Sequence, residues 1–236
     1  MIVKIFKNDD YASRAAADII IAQISAKPNS VIGLPTGGTP VKTYQTLIQA
    51  FQEGRVSFKN VKTFNLDEYV GLDPTHEQSY RYFMNDKLFS HIDILIENTH
   101  LPCSEDPEKY DDEIIAAGGL DLQVLGIGNN GHIAFNEPGG KFDSLTHKQR
   151  ITEETREANK RFFGNDINKV PEYAVTLGIK GIMNARKIIQ LAFGKGKAKA
   201  IYDTVRGPVN VDVPSGVLQL HPDCTLLIDE AAAELL

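Results

Sequence analysis

The sequence predicts an α/β fold: a mostly parallel sheet with helices on both faces. Short apolar runs alternate with segments of helical periodicity along the whole chain. Such alternation requires crossover connections, which make neighbouring strands parallel and cover both faces of the sheet. Three of the apolar runs also end in polar or glycine-rich segments. These are PTGGTP after Leu34, DEY after Leu66 and GNNGH after Ile127. Ligands of open α/β sheets bind beyond the carboxyl ends of the strands, so the three segments are expected to converge on one crevice.

The elements follow in order. Ile2 to Phe6 reads as a strand, and Tyr11 to Ser25 as an Ala- and Ile-rich helix. Val31 to Leu34 is a buried strand leading to a helix from Pro40 to Glu53. Val61 to Leu66 is a strand and Glu77 to Ser90 a helix. Pro107 to Ala117 is a helix closed by Gly118 and Gly119. Leu120 to Ile127 is the most apolar strand, and Thr152 to Phe163 a charged helix. Lys187 to Phe193 is a strand followed by a helix from Lys195 to Val205. Cys224 to Ile228 is a last strand before a short terminal helix. The chain has 236 residues, 42% of them hydrophobic, and no Pro- or Ser-rich linker. One domain over residues 1–236 is expected, with no internal repeat.

Composition excludes several classes. The net charge of -6 opposes a broad nucleic-acid footprint, which needs a basic face. The two cysteines, Cys103 and Cys224, form no C-x-x-C pair, which argues against a zinc site or a disulfide framework. MIVKIFKNDD contains no apolar signal core, and no run approaches the ~20 apolar residues of a membrane helix. A reduced, cytoplasmic protein is expected.

The residues of Leu34–Pro40 suit an anion. Gly37 and Gly38 allow a tight turn with N–H groups directed at a ligand. Thr39 suits an N-cap and Pro40 a first helical position. An ordinary strand-to-helix turn fits the same residues. Asp67 and Glu68 offer a general base or metal ligand, or a solvated cap. In an extended segment they point opposite ways, so only one is expected to reach a ligand. In GIGNNGHIAFNEP, His132 is the natural proton carrier, and Glu137 lies five residues on, able to orient it. The remaining histidines, His76, His91, His100, His147 and His221, read as surface or cap residues. Arg161 and Lys197 suit a phosphate clamp, or equally two solvated helix charges.

Taken together, LPTGGTP, NLDEYVGL with EQSYRYFM, and GNNGHIAFNEPG with TREANKRFF resemble the glucosamine-6-phosphate deaminase family. Their order and spacing extend from about Ile32 to Lys197. The resemblance implies a Rossmann-like three-layer sandwich, a small-molecule amino-sugar phosphate substrate, and no metal or organic cofactor. It implies Asp67 as the base moving a proton between sugar carbons 2 and 1. His132 becomes the ring-opening acid/base, supported by Glu137. Thr36, Gly37, Gly38, Thr39, Arg161 and Lys197 become the phosphate site. Many members carry Asp where this chain has Asn130, although a shorter branch also carries Asn. Asn130 can orient His132 without adding a charge. Longer hexameric members place Arg and Lys where this chain has His147 and Gln149. The expectation is therefore a monomer without that allosteric activation.

Two rival readings remain. A 6-phosphogluconolactonase would share the fold and the Gly-rich turn, but typically shows D-E-R at Asp67–Tyr69 and lacks AFNEP. A sugar-phosphate-sensing module would need a DNA-binding segment, and no helix-turn-helix precedes Ile2.

Overall fold

The computed structural model describes residues 1–236. In chain order its strands are β1 (Ile2–Phe6), β2 (Val31–Leu34), β3 (Lys62–Asn65), β4 (Asp67–Tyr69) and β5 (Thr99–His100). β6 (Leu122–Leu125), β7 (His147–Arg150), β8 (Tyr173–Thr176), β9 (Ile188–Ala192) and β10 (Cys224–Asp229) complete the set. The helices are α1 (Asp9–Ala26), α2 (Val41–Gln52), α3 (Tyr80–Lys87), α4 (Lys109–Ala116), α5 (Glu153–Asn159), α6 (Ile179–Met183) and α7 (Ala198–Arg206).

Seven strands form one all-parallel sheet in the order β1-β10-β9-β6-β2-β3-β5. Its strands carry side chains to two apolar layers. Leu226 and Ile228 of β10 enter one layer and Leu227 the other, as the two-residue period of a strand requires. Tyr44, Leu47 and Ile20 close the layer under α1 and α2. Ile114, Ile182 and Ile201 close the opposite layer under α4, α6 and α7. The chain leaves β2 toward β3 but leaves β6 toward β9. The connections diverge there, and the divergence opens a crevice at the carboxyl ends of these central strands.

Local chemistry sets the ends of the elements. Asn8 caps α1 through Tyr11 N–H, with Asp9 and Asp10 in the first turn. α4 ends as expected, Gly118 and Gly119 returning N–H bonds to Ile115 and Ile114. Ser79 caps α3 through Tyr82 N–H, so the helix starts at Tyr80 rather than Glu77.

Four expectations need correction. Thr39 does not cap α2: Pro40 occupies the cap position in a turn closed from Val41 N–H to Gly38 C=O, and no side chain caps the helix. The charged helix after Thr152 stops at Asn159 and continues as a single 3-10 turn, Lys160–Phe162. The terminal segment after Asp229 is a series of turns: only seven residues, Glu230–Leu236, remain, too few to hold a helix by themselves. His221 is a buried core histidine rather than a surface one, with Nε2 against Ala185 C=O and Nδ1 accepting from Asp223 N–H.

A second sheet was not foreseen. β4, β8 and β7 pair antiparallel in the order β4-β8-β7 beside the crevice. β7 reads HKQR, with neither an apolar run nor alternation, so nothing in it marks a strand.

At the opposite rim, Asp121 sits just before β6 and is only 6% exposed. It accepts from Lys27 Nζ at 2.9 and 2.7 Å, from Arg186 Nη1 at 2.9 Å and from Val31 N–H at 2.9 Å. Asp121→Ala is expected to lower stability by about 2 kcal/mol, since a buried N–H and two cations lose one acceptor. The urea midpoint should fall with an unchanged m value; a midpoint equal to that of the parent would refute the account.

Candidate active site

β3 delivers Leu66 and then Asp67 to the crevice, where the chain turns out of the main sheet into β4. Asp67 is 7% exposed and its carboxylate accepts no hydrogen bond from the protein. Burial raises it to about 8, and the adjacent Glu68 charge adds to the rise. Glu68 points elsewhere, as the strand period requires: its oxygens accept the N–H groups of Tyr69, Tyr80 and Arg81.

β6 delivers the loop Gly126–His132. The imidazole lies against Gly128, where a Cβ would stand 2.3 Å from His132 Cε1. Only glycine leaves room for the ring there. His132 Nδ1 is 3.4 Å from Glu137 Oε2, an ion-pair distance. A tight turn, Asn136 N–H to Ile133 C=O, brings Glu137 back to the ring. Asn130 does not touch the imidazole. Its Nδ2 donates to Glu137 Oε2 at 2.9 Å, and its Oδ1 accepts His132 N–H at 3.2 Å. Glu137 Oε1 accepts from Thr152 at 3.0 Å and Thr155 at 2.7 Å. Burial opposes ionisation of Glu137, but the imidazole and these donors outweigh it and hold the carboxyl at about 2.

The turn after β2 forms the third wall. Gly37 has φ +85°, a left-handed conformation, and a Cβ on Gly37 or Gly38 would meet nothing within 4 Å. The space over the turn is open, and the hydroxyls of Thr36 and Thr39 make no bond to the protein. Lys197 sits in the 3-10 turn after β9 and donates to Asn129 Oδ1 at 2.7 Å. Burial and then the charge of Arg161 lower its proton affinity. Arg161 itself is exposed, its guanidinium over the Phe162 ring at 4.7 Å. Two cations that repel each other, and that hold no carboxylate, suit an anion.

Adjacent strands lie about 4.8 Å apart, so the ends of β6 and β3, separated by β2, are about 10 Å apart. Sequence reasoning missed the supporting residues. Thr152, Thr155 and Asn129 act through contacts far away in the chain, and neither Thr155 nor Asn129 carries a local signal. Thr152 alone had one, as the N-cap of α5.

Fold and crevice together define an α/β protein with a glycine turn, two cations, a buried carboxyl and a histidine at the carboxyl rim of its sheet. The chain belongs to the glucosamine-6-phosphate isomerase/6-phosphogluconolactonase family, whose model matches residues 7–226. It is 50% identical to the glucosamine-6-phosphate deaminase of Thermoanaerobacter pseudethanolicus, over 100% of this chain and 95% of that protein. A solved structure described as a monomeric glucosamine-6-phosphate deaminase superposes with a TM-score of 0.97 at 41% identity, covering all of both chains. The 6-phosphogluconolactonase of Trypanosoma brucei shares the fold, with a TM-score of 0.77 at 18% identity over 100% of this chain and 98% of that one.

The Asp67 carboxyl gives a stability test with a definite sign. Its folded value of about 8 exceeds the ordinary 3.8, so the native state binds this proton more tightly. Its contribution is therefore fully present below pH ~4 and is lost as pH rises through about 8. Asp67→Asn should leave stability unchanged at pH 4 and raise it at pH 8.5 by roughly 5 kcal/mol. Melting curves at the two pH values check this, and a gain independent of pH would contradict it.

Proposed function

We propose that the crevice converts glucosamine 6-phosphate to fructose 6-phosphate and ammonia, an aldose–ketose isomerisation with deamination. The observation that carries this reading is the Asp67 carboxyl, buried, without donors and raised to about 8. Moving a proton from one carbon to the next needs a base stronger than an ordinary carboxylate, held at the carbon. Hydrolysis of a lactone moves no carbon-bound proton and needs no such group.

In this reading the phosphate lies on the turn of Thr36, Gly37, Gly38 and Thr39 with Arg161 and Lys197. That fixes sugar carbons 1 and 2 between the ends of β6 and β3. His132 transfers the proton that opens the ring, and Glu137, held by Asn130, Thr152 and Thr155, fixes the imidazole. Asp67 takes the proton from carbon 2, giving an enolamine, and returns it to carbon 1. Water then adds to the imine at carbon 2, and ammonia leaves.

The assembly is read as a monomer, as the 41%-identical solved structure is described. Allosteric activation is read as absent, since His147 and Gln149 bond to each other at 3.2 Å instead of offering two cations to an effector. No helix is long and apolar enough to cross a membrane, and the small phosphorylated substrate supports a cytoplasmic setting.

Incubation with glucosamine 6-phosphate should yield ammonia and fructose 6-phosphate in equal amounts, with no acceleration of 6-phosphogluconolactone hydrolysis; the opposite pattern would make it a lactonase. Asp67→Asn should lower turnover by roughly 10³-fold with the fold intact, and His132→Gln should slow the cyclic substrate more than an open-chain analogue. Because the base acts ionised, kcat/KM should climb with pH up to about 8, and a profile flat from pH 5 would count against Asp67.

A further inference from the structure

We propose that Glu68 is a positioning residue for Asp67, seating the Asp67–Tyr69 strand on the N-terminus of α3 so that Asp67 is held at the reacting carbon. The inference rests on the function proposed above and adds a residue to it.

Glu68 is bonded across a gap in the chain. Its Oε1 accepts from Tyr69 N–H and, twelve residues on, from Tyr80 N–H, both at 2.8 Å; Oε2 accepts from Arg81 N–H at 2.9 Å. Tyr80 and Arg81 are the first two residues of α3. The Ser79 hydroxyl takes the third free N–H, that of Tyr82, at 3.0 Å. The carboxylate therefore satisfies two of the N–H groups every helix leaves unpaired, at the positive end of the helix dipole. Tyr80 adds a second contact between the same elements, its ring 4.9 Å from that of Tyr69.

The other edge of β4 is fixed as well: Asp67, Glu68 and Tyr69 pair with Thr176, Val175 and Ala174 of β8. Tyr69 adds packing on Phe135 and Phe163 and accepts from Asn159 Nδ2. Glu68 supplies the anchor to α3, one residue from Asp67. Although the side chain points away, its charge still acts on Asp67 through space. The other titratable groups around Asp67 are Tyr69 on its own strand, Tyr80 on α3 and Tyr110 on α4, while Arg81 faces Glu68. Burial is the larger cause of the raised Asp67 proton affinity and Glu68 the second.

Two variants separate anchor from charge. Glu68→Gln sets an amide N–H against the N–H of Arg81 and removes the charge. Its kcat should fall about tenfold with KM within about twofold, and the acid limb of kcat/KM should move to lower pH. Glu68→Asp keeps the charge but draws the carboxylate back from α3. It should lose kcat comparably while its acid limb stays near that of the parent. The carboxyl ¹³C signal of Asp67, titrated in parent and Glu68→Gln, should show a lower midpoint in the variant. Folded variants with parental kcat and an unmoved Asp67 midpoint would overturn the proposal. So would failure of both variants to fold, which would make Glu68 a stability residue only. If the parent chain releases no ammonia, the proposed function fails on its own, and the Asp67 titration still decides this inference.

Discussion

The crevice depends on one joint, where β8 meets both halves of the candidate site. Asp67 pairs with Thr176 in the antiparallel ladder, and Leu177 N–H bonds Leu66 C=O at 2.7 Å. From the other side, Phe135 N–H donates to Thr176 Oγ1 at 3.0 Å, and Asn136 Nδ2 donates to Leu177 C=O at 2.9 Å. Two residues thus tie the segment bearing Asp67 to the segment bearing His132 and Glu137. All of these groups are buried, so each bond satisfies a polar group that water cannot reach. The geometry of the site is fixed through the backbone rather than through long side chains, which suits chemistry sensitive to small displacements.

Within this frame, two buried carboxyl groups move in opposite directions. Glu137 is surrounded by Asn130, Thr152, Thr155 and the imidazole, and it stays ionised to about pH 2. Asp67 has no donor and is held protonated up to about 8. Glu137 has the imidazole and its donors to offset burial, and the more deeply buried Asp67 has neither. In the proposed reaction the two carboxyls would divide the labour, the charged Glu137 steadying the histidine and Asp67, near its own midpoint, exchanging protons.

The strands of the main sheet were legible because parallel strands covered on both faces are continuous apolar runs, as in Leu122–Leu125. The three rim segments were legible because glycines and polar residues interrupt such runs. The small sheet was not: β4 carries two acids and β7 four polar residues, and the pairing of β4 with β8 joins segments about a hundred residues apart. Asn130 shows the limit most clearly. Its neighbourhood to His132 in sequence suggested contact with the ring, yet its amide reaches Glu137, because the turn at Ala134, with φ 52°, folds that residue back. His221 misled in the opposite way, since a polar residue near the terminus gives no sign that Ala185 covers it.

The Asp121 cluster gives the molecule two unlike ends. There, Lys27 and Arg186 clasp a carboxylate that binds the starts of β2 and β6 together. The same two strands, at their far ends, carry the Gly37–Gly38 turn and the histidine loop. Robustness and chemistry are thus lodged at opposite poles of the same pair of strands. Substitutions that strengthen one pole need not disturb the other, leaving the active rim free to diversify over a scaffold fastened from behind.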